Sequence, residues 1–355
     1  MKVFFLILIF PIVLFSQQAK WYDDLGLNGF VSSSYSYNFN NPESGKNQYR
    51  VFDFDDNTFK IDVAELVFQK QLTAPGDAGF RIDLTAGSSI PPVVKSTKDT
   101  EDIDLHQIYL SYIAKIGNGL RIDAGKFVTH LGYEVIEGYD GYNDNVSRSF
   151  LFGYAIPYTH TGVRFSYPFS KELNATLIVT NGWDNSTDNN KSKSLGAQVT
   201  YTPTDRFTFT GNFLGGPEQN NDNSRNRFVY DFLGILKITD QLSIGGYGVY
   251  GVEQKTASNG DDAKWYGAAG YLRYYLCEDF SFALRTETFN DWSGTRTGIP
   301  QRLDEITITP EYKINKNIIV RGDFRYDESN LEVFEIDNQF LNHQLTVSLN
   351  MLFIL

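Results

Sequence analysis

Gln344-Leu345-Thr346-Val347-Ser348-Leu349-Asn350-Met351-Leu352-Phe353-Ile354-Leu355 places Leu345, Val347, Leu349, Met351, Phe353 and Leu355 on one parity and Gln344, Thr346, Ser348 and Asn350 on the other. Successive side chains of an extended chain point to opposite faces, so this segment reads as a strand with one apolar and one polar face. The pattern recurs upstream. Phe80, Ile82 and Leu84 oppose Arg81 and Asp83; Leu120 and Ile122 oppose Arg121 and Asp123; Val163, Phe165 and Tyr167 oppose Arg164. Tyr266, Ala268, Leu272 and Tyr274 oppose Tyr271 and Arg273; Phe280, Phe282 and Leu284 oppose Arg285 and Glu287; Ile318, Val320 and Phe324 oppose Arg321, Asp323 and Arg325. Charge keeps to one parity, as it must if the other meets lipid, where an Arg or Lys near mid-bilayer costs about 2–4 kcal/mol. Lys126 breaks the rule near a strand end, where a bulge or snorkelling would accommodate it.

These segments are joined alternately by short and long connections. The short ones are Ala74-Pro75-Gly76-Asp77, Gly117-Asn118-Gly119, Ser170-Lys171-Glu172, Thr202-Pro203-Thr204-Asp205, Thr239-Asp240-Gln241, Cys277-Glu278-Asp279 and Asn315-Lys316-Asn317. Seven tight turns and eight long polar loops imply an all-β, membrane-spanning antiparallel barrel of about sixteen strands, with both termini on the periplasmic side. A propeller would carry a blade repeat of roughly 40 residues, and none is seen. Barrels of about 16 to 18 strands enclose an aqueous channel, whereas about 8 strands fill with their own side chains.

The first residues read as an export signal: Lys2, the apolar run from Val3 to Phe15, and small Ser16 before Gln17. The expected organisation is a signal peptide at 1–16, cleaved near Ser16/Gln17, and a single barrel at 17–355, directed to the outer membrane of a Gram-negative cell. After the signal no run of about 20 apolar residues could form a spanning helix. The lone Cys277 excludes an intrachain disulfide, leaving the closed ladder of interstrand hydrogen bonds as the stabilising framework.

The third loop, at about 129–158, is the longest and carries Glu134, Glu137, Asp140, Asp144 and Arg148 among glycines and five tyrosines. A loop of this length in a compact fold has a function or its own packing. The expectation is that it folds into the lumen and constricts it, setting its acids opposite the basic wall residues Arg81, Arg121, Arg164, Arg285, Arg321 and Arg325; the alternative is an external loop against lipopolysaccharide. Arg273, Glu287 and Asp323 complete the expected pore lining. Bases and acids nearly cancel along this wall, so mutual pairing competes with selection by sign.

The same region carries a family resemblance. Gly125-Lys126-Phe127, Leu131-Gly132-Tyr133-Glu134, Ser147-Arg148-Ser149-Phe150, Pro157-Tyr158-Thr159-His160-Thr161-Gly162-Val163 and Thr180-Asn181-Gly182-Trp183-Asp184 resemble the beta-barrel porin-2 (OmpL-like) family. The resemblance implies an outer-membrane porin-type barrel; it supplies no substrate and no catalytic residues.

The function expected is a passive diffusion channel for small hydrophilic solutes or ions, needing no cofactor or metal. An adhesion or structural anchor, or a membrane-embedded lipid hydrolase, is the alternative. Against an enzyme, His106, His130, His160 and His343 lie in neither a Gly-x-Ser-x-Gly nor a His-Glu-x-x-His setting, and His160 is expected to be a structural hydrogen-bond partner facing inward beside Arg164. Net charge is -12 with no basic stripe for nucleic acid, and acids such as Asp53, Asp55, Asp56, Asp99, Glu101, Asp102 and Asp327 are expected in solvated loops. Tyr35, Tyr37, Phe39, Trp183, Tyr250, Trp265 and Trp292 suit interfacial girdles, while inward Tyr271 and Tyr275 could instead offer sugars a stacking path. Outer-membrane lipid, lipopolysaccharide and small solutes are the expected partners. A homo-oligomer, trimeric as in many porins, is compatible with this reading.

Overall fold

The computed structural model describes residues 25–90 and 103–355, so the export signal and the loop acids Asp99, Glu101 and Asp102 lie outside the described residues. Alternating hydrophobicity becomes strand after strand: β1 (Leu25–Asn38), β2 (Thr58–Lys70), β3 (Ala78–Ala86), β4 (Asp104–Ala114), β5 (Leu120–Val128), β6 (Thr159–Pro168), β7 (Leu173–Thr180), β8 (Ser194–Thr204) and β9 (Phe207–Pro217). The series continues with β10 (Asn226–Lys237), β11 (Leu242–Glu253), β12 (Ala263–Tyr275), β13 (Phe280–Asp291), β14 (Gln301–Lys313), β15 (Ile318–Ser329), a small hairpin of β16 (Phe334–Ile336) and β17 (Gln339–Leu341), and β18 (His343–Ile354). Each long strand pairs antiparallel with its neighbours, and β18 returns to β1, with Phe30 opposite Ile354 and Asn38 opposite Thr346. The result is a closed barrel of sixteen strands, in which every wall strand has two partners and no edge is left unpaired. The β16–β17 hairpin stands apart in the last long loop.

Parity sorts the side chains as the patterns predict. Leu345, Leu349, Met351 and Phe353 on β18, Phe324 on β15 and Leu177 on β7 are exposed on the outside, while Gln344, Thr346 and Asn350 are buried inside. No helix among the described residues is long and apolar enough to span a membrane. Lys126 sits beside an irregularity of the neighbouring β4, whose register against β3 shifts between Asp83 and Leu84; it is buried, with Nζ 3.4 Å from Asp104 Oδ2 and 3.1 Å from the Leu105 carbonyl.

Two expectations are corrected. Trp265 is no girdle residue, because it points inward, fully buried, and donates from Nε1 to the Ala155 carbonyl at 3.0 Å; Trp183 packs edge-on against it. Gly251 makes room, since a Cβ there would sit 2.0 Å from the indole. Asp327 is no solvated loop acid either: β15 runs on to Ser329, and Asp327 is buried between Arg325 and Arg50 of the first loop; in that loop Asp53 pairs with Arg50, and Asp56 is buried and accepts from the Asn38 amide. Tyr250, Tyr266 and Trp292 do face outward, exposed.

Candidate functional site in the barrel lumen

The segment between β5 and β6 lies inside the barrel, because its polar groups meet inward residues around the wall. Glu134 bonds Arg285 Nη1 at 2.7 Å, Glu137 bonds Arg321 Nη1 at 3.0 Å, Asp140 bonds Arg81 Nη1 at 2.7 Å and Asp144 bonds Arg273 Nη1 at 3.1 Å. The wall carboxylates reciprocate by accepting from loop backbone: Asp231 from Gly132 N at 2.8 Å, Asp323 from Ser147 N at 3.0 Å, and Glu287 from Phe150 N and from Leu151 N at 3.1 Å. Arg325 donates to the Arg148 carbonyl, and Arg148 itself reaches Glu137 at 3.4 Å. A buried backbone without regular structure must find such partners, and here the charged wall provides them.

Apolar packing fixes the loop further. Phe150, Leu151, Phe152, Ala155 and Ile156, in and around a single π-helical turn at Leu151–Ala155, are buried against Trp265, Phe289 and Leu303 of the wall and Phe52 of the first loop. The run Phe150-Leu151-Phe152, out of place in an exposed loop, was the available sign of this burial. Tyr133 stacks on Tyr271 at 3.9 Å and 12°, so Tyr271 is occupied and offers no stacking surface to a sugar.

The loop acids are therefore not set opposite all six basic wall residues. Arg285, Arg321 and Arg325 are fully buried, each in ion pairs, and on this side the loop is packed against the wall. Arg121 and Arg164 meet no acid of the loop; both bind Asp123, Nε to carboxylate, at 2.9 and 2.7 Å. They face two cavities of about 520 and 430 Å³ along β2 to β8. Gln107, Arg121, Val128, Asp140 and Arg164 line both, so the two adjoin between the loop and the wall.

Burial alone would raise the Glu137 carboxyl, but the Arg148 and Arg321 guanidiniums overcome it and hold Glu137 below the usual range. Asp144 moves the other way, raised by burial with only partial relief from Arg273. His160 is buried, bonded to Thr129 Oγ1 at 3.1 Å and to the Gly182 carbonyl at 3.3 Å, as a structural partner would be. Among the described residues no three His, Cys, Asp or Glu side chains are grouped to hold a metal ion.

A closed sixteen-stranded wall, apolar outside, around a charged lumen crossed by its third loop defines a porin-type barrel. The chain belongs to the family described as "Putative beta-barrel porin-2, OmpL-like", whose model matches residues 24–355. No curated protein matches the chain. Among solved structures it is similar to the outer membrane channel DcaP of Acinetobacter baumannii, at TM-score 0.64 and 12% identity over 93% of this chain and 97% of that one. The anion-selective porin from Comamonas acidovorans follows at TM-score 0.62 and 9% identity, over 93% and 99%. Salmonella typhi OmpF, in complex with daunomycin, has TM-score 0.59 and 12% identity, over 94% and 99%. At these identities the likeness is one of fold, and its members are outer-membrane porins and channels.

Proposed function

We propose that the protein is a passive channel of the outer membrane for small hydrophilic solutes, with the third loop as its constriction and no catalytic role. The observation that carries this reading is the pair of adjoining cavities along β2 to β8, lined by charged and amide side chains together with apolar ones, inside a wall whose outer face is apolar. An aqueous route through lipid requires this combination, and cavities of a few hundred Å³ suit solutes of modest size. Short turns at one rim and long loops at the other support an orientation with both termini periplasmic. Solute contact falls to Arg81, Arg121, Arg164 and Asp140, whereas Arg273, Arg285, Glu287, Arg321, Asp323 and Arg325 hold the loop through Glu134, Glu137, Asp144 and backbone around Arg148.

Planar-bilayer recording tests the reading, with stable stepwise currents expected from purified protein. Deleting Glu134 to Phe152 should raise the conductance, because the bases it uncovers become hydrated as water fills the vacated half. Closed bilayers, or unchanged current in the deletion variant, would overturn the channel or the constriction respectively.

A further inference from the structure

Arg121 and Arg164 form an arrangement unlike the other wall arginines. Each gives only Nε to protein, Arg121 to Asp123 Oδ1 at 2.9 Å and Oδ2 at 3.1 Å, Arg164 to Oδ2 at 2.7 Å; among the described residues, Nη1 and Nη2 of both have no acceptor. Asp123 is buried and also takes the Ser111 hydroxyl, so the triad carries one net positive charge with its free donors turned to the cavity. Side-chain exposure is 42% for Arg121 and 24% for Arg164, against 0% for Arg285 and Arg321. Arg164 is held in place by the rings of Phe127 and Tyr109, with Cζ 4.8 and 5.2 Å from their centroids. The acids that face the triad are already engaged: Asp140 by Arg81, Glu134 by Arg285, and Glu65 by the Tyr139 amide.

We infer that Arg121 and Arg164 form a binding station for a small oxyanion, a carboxylate or phosphate, on the solute path. The inference rests on the channel reading and names the class of solute favoured there. Free Nη groups match an oxyanion bidentately, and a guanidinium already fixed by Nε and by aromatic rings loses little freedom on binding. Phe127 and Ile178 line the same cavity and would accept a short hydrocarbon tail, which separates an organic carboxylate from free phosphate.

The test uses the full protein in planar bilayers at about 0.1 M KCl, where surface screening is moderate. Butyrate and inorganic phosphate are added separately. Both should depress the chloride current of the unmodified protein, and Arg121→Gln together with Arg164→Gln should raise the half-blocking concentration at least tenfold while stepwise currents persist. Butyrate blocking well below phosphate would identify the organic source, and the reverse order the inorganic one. A conducting protein with no block, or with equal block in the variant, overturns the station and leaves the channel standing. If no current is seen the channel reading fails, and calorimetric titration of the detergent-solubilised protein with the same two anions decides the station alone, absence of heat refuting it. Arg121→Gln by itself, at the more exposed position, serves if the double variant does not migrate as a folded barrel.

Discussion

Replacing Arg285 with Met should release the third loop without opening the barrel. Arg285 is fully buried and donates to Glu305 at 2.7 Å, to Glu134 at 2.7 Å, to the Ser147 carbonyl at 2.6 Å and, at greater length, to Ser147 Oγ at 3.3 Å and Thr307 Oγ1 at 3.4 Å. Methionine fills a similar volume but strands Glu134 and Glu305, and breaking a buried pair in this way costs about 3–5 kcal/mol. Three of the five bonds join the wall to the loop, so about three fifths of that cost, roughly 2–3 kcal/mol, bears on loop docking; at a factor of ten per 1.4 kcal/mol the undocked population should rise about 20- to 150-fold. Ser149 reports this, being buried on the loop and nearly isosteric with cysteine. In a Cys277→Ser background, Ser149→Cys should react with a maleimide faster by that factor when Arg285→Met is present. Adding Glu134→Gln should recover part of the protection by removing a stranded charge. A change below about threefold, in protein whose heat-modifiable gel migration shows it folded, would refute the claim that this ion cluster holds the loop.

Three further outcomes are expected. Protease applied to whole cells should cut near Asn221 or Asn259, in long connections, and spare Pro203 and Lys316; the opposite pattern would invert the orientation. Glu137 has its folded pKa depressed by Arg148 and Arg321, so its contribution is present above the unfolded value of ~4.3 and lost as pH falls below it. Maleimide access to Ser149→Cys should therefore rise below about pH 4, and Glu137→Gln should flatten the response; a flat profile in the parent would exclude Glu137 as the cause. Gly251→Ala should lower the unfolding temperature measurably, because its Cβ would overlap the Trp265 ring at 2.0 Å.

The wall was legible because lipid and water impose a two-residue alternation that each strand displays by itself. Even the misplacement of Trp265 was avoidable on that logic: with Tyr266 and Ala268 outward, position 265 must point inward. Asp327 likewise continues the inward series Arg321, Asp323, Arg325 by one more step. The lumen was legible only in kind. The acids of the third loop could be matched to wall bases as a class, but which acid meets which base depends on where a loop without periodicity places residues such as Glu134, 151 positions from Arg285. Arg121 and Arg164 were grouped with the other bases because nothing in strand parity separates a guanidinium facing water from one facing a loop.

The unequal filling of the lumen divides the circumference into two territories with different tolerance for change. Along β10 to β15 an inward substitution disturbs a packed and paired interior, and folding itself is at stake. Along β4 to β8 some inward side chains, Arg121 and Arg164 among them, border the cavities, where a change of size or sign displaces less packing than it would around Arg285. If the channel reading holds, diversification among related chains should accumulate at the cavity-lining positions of that arc while the opposite arc stays fixed.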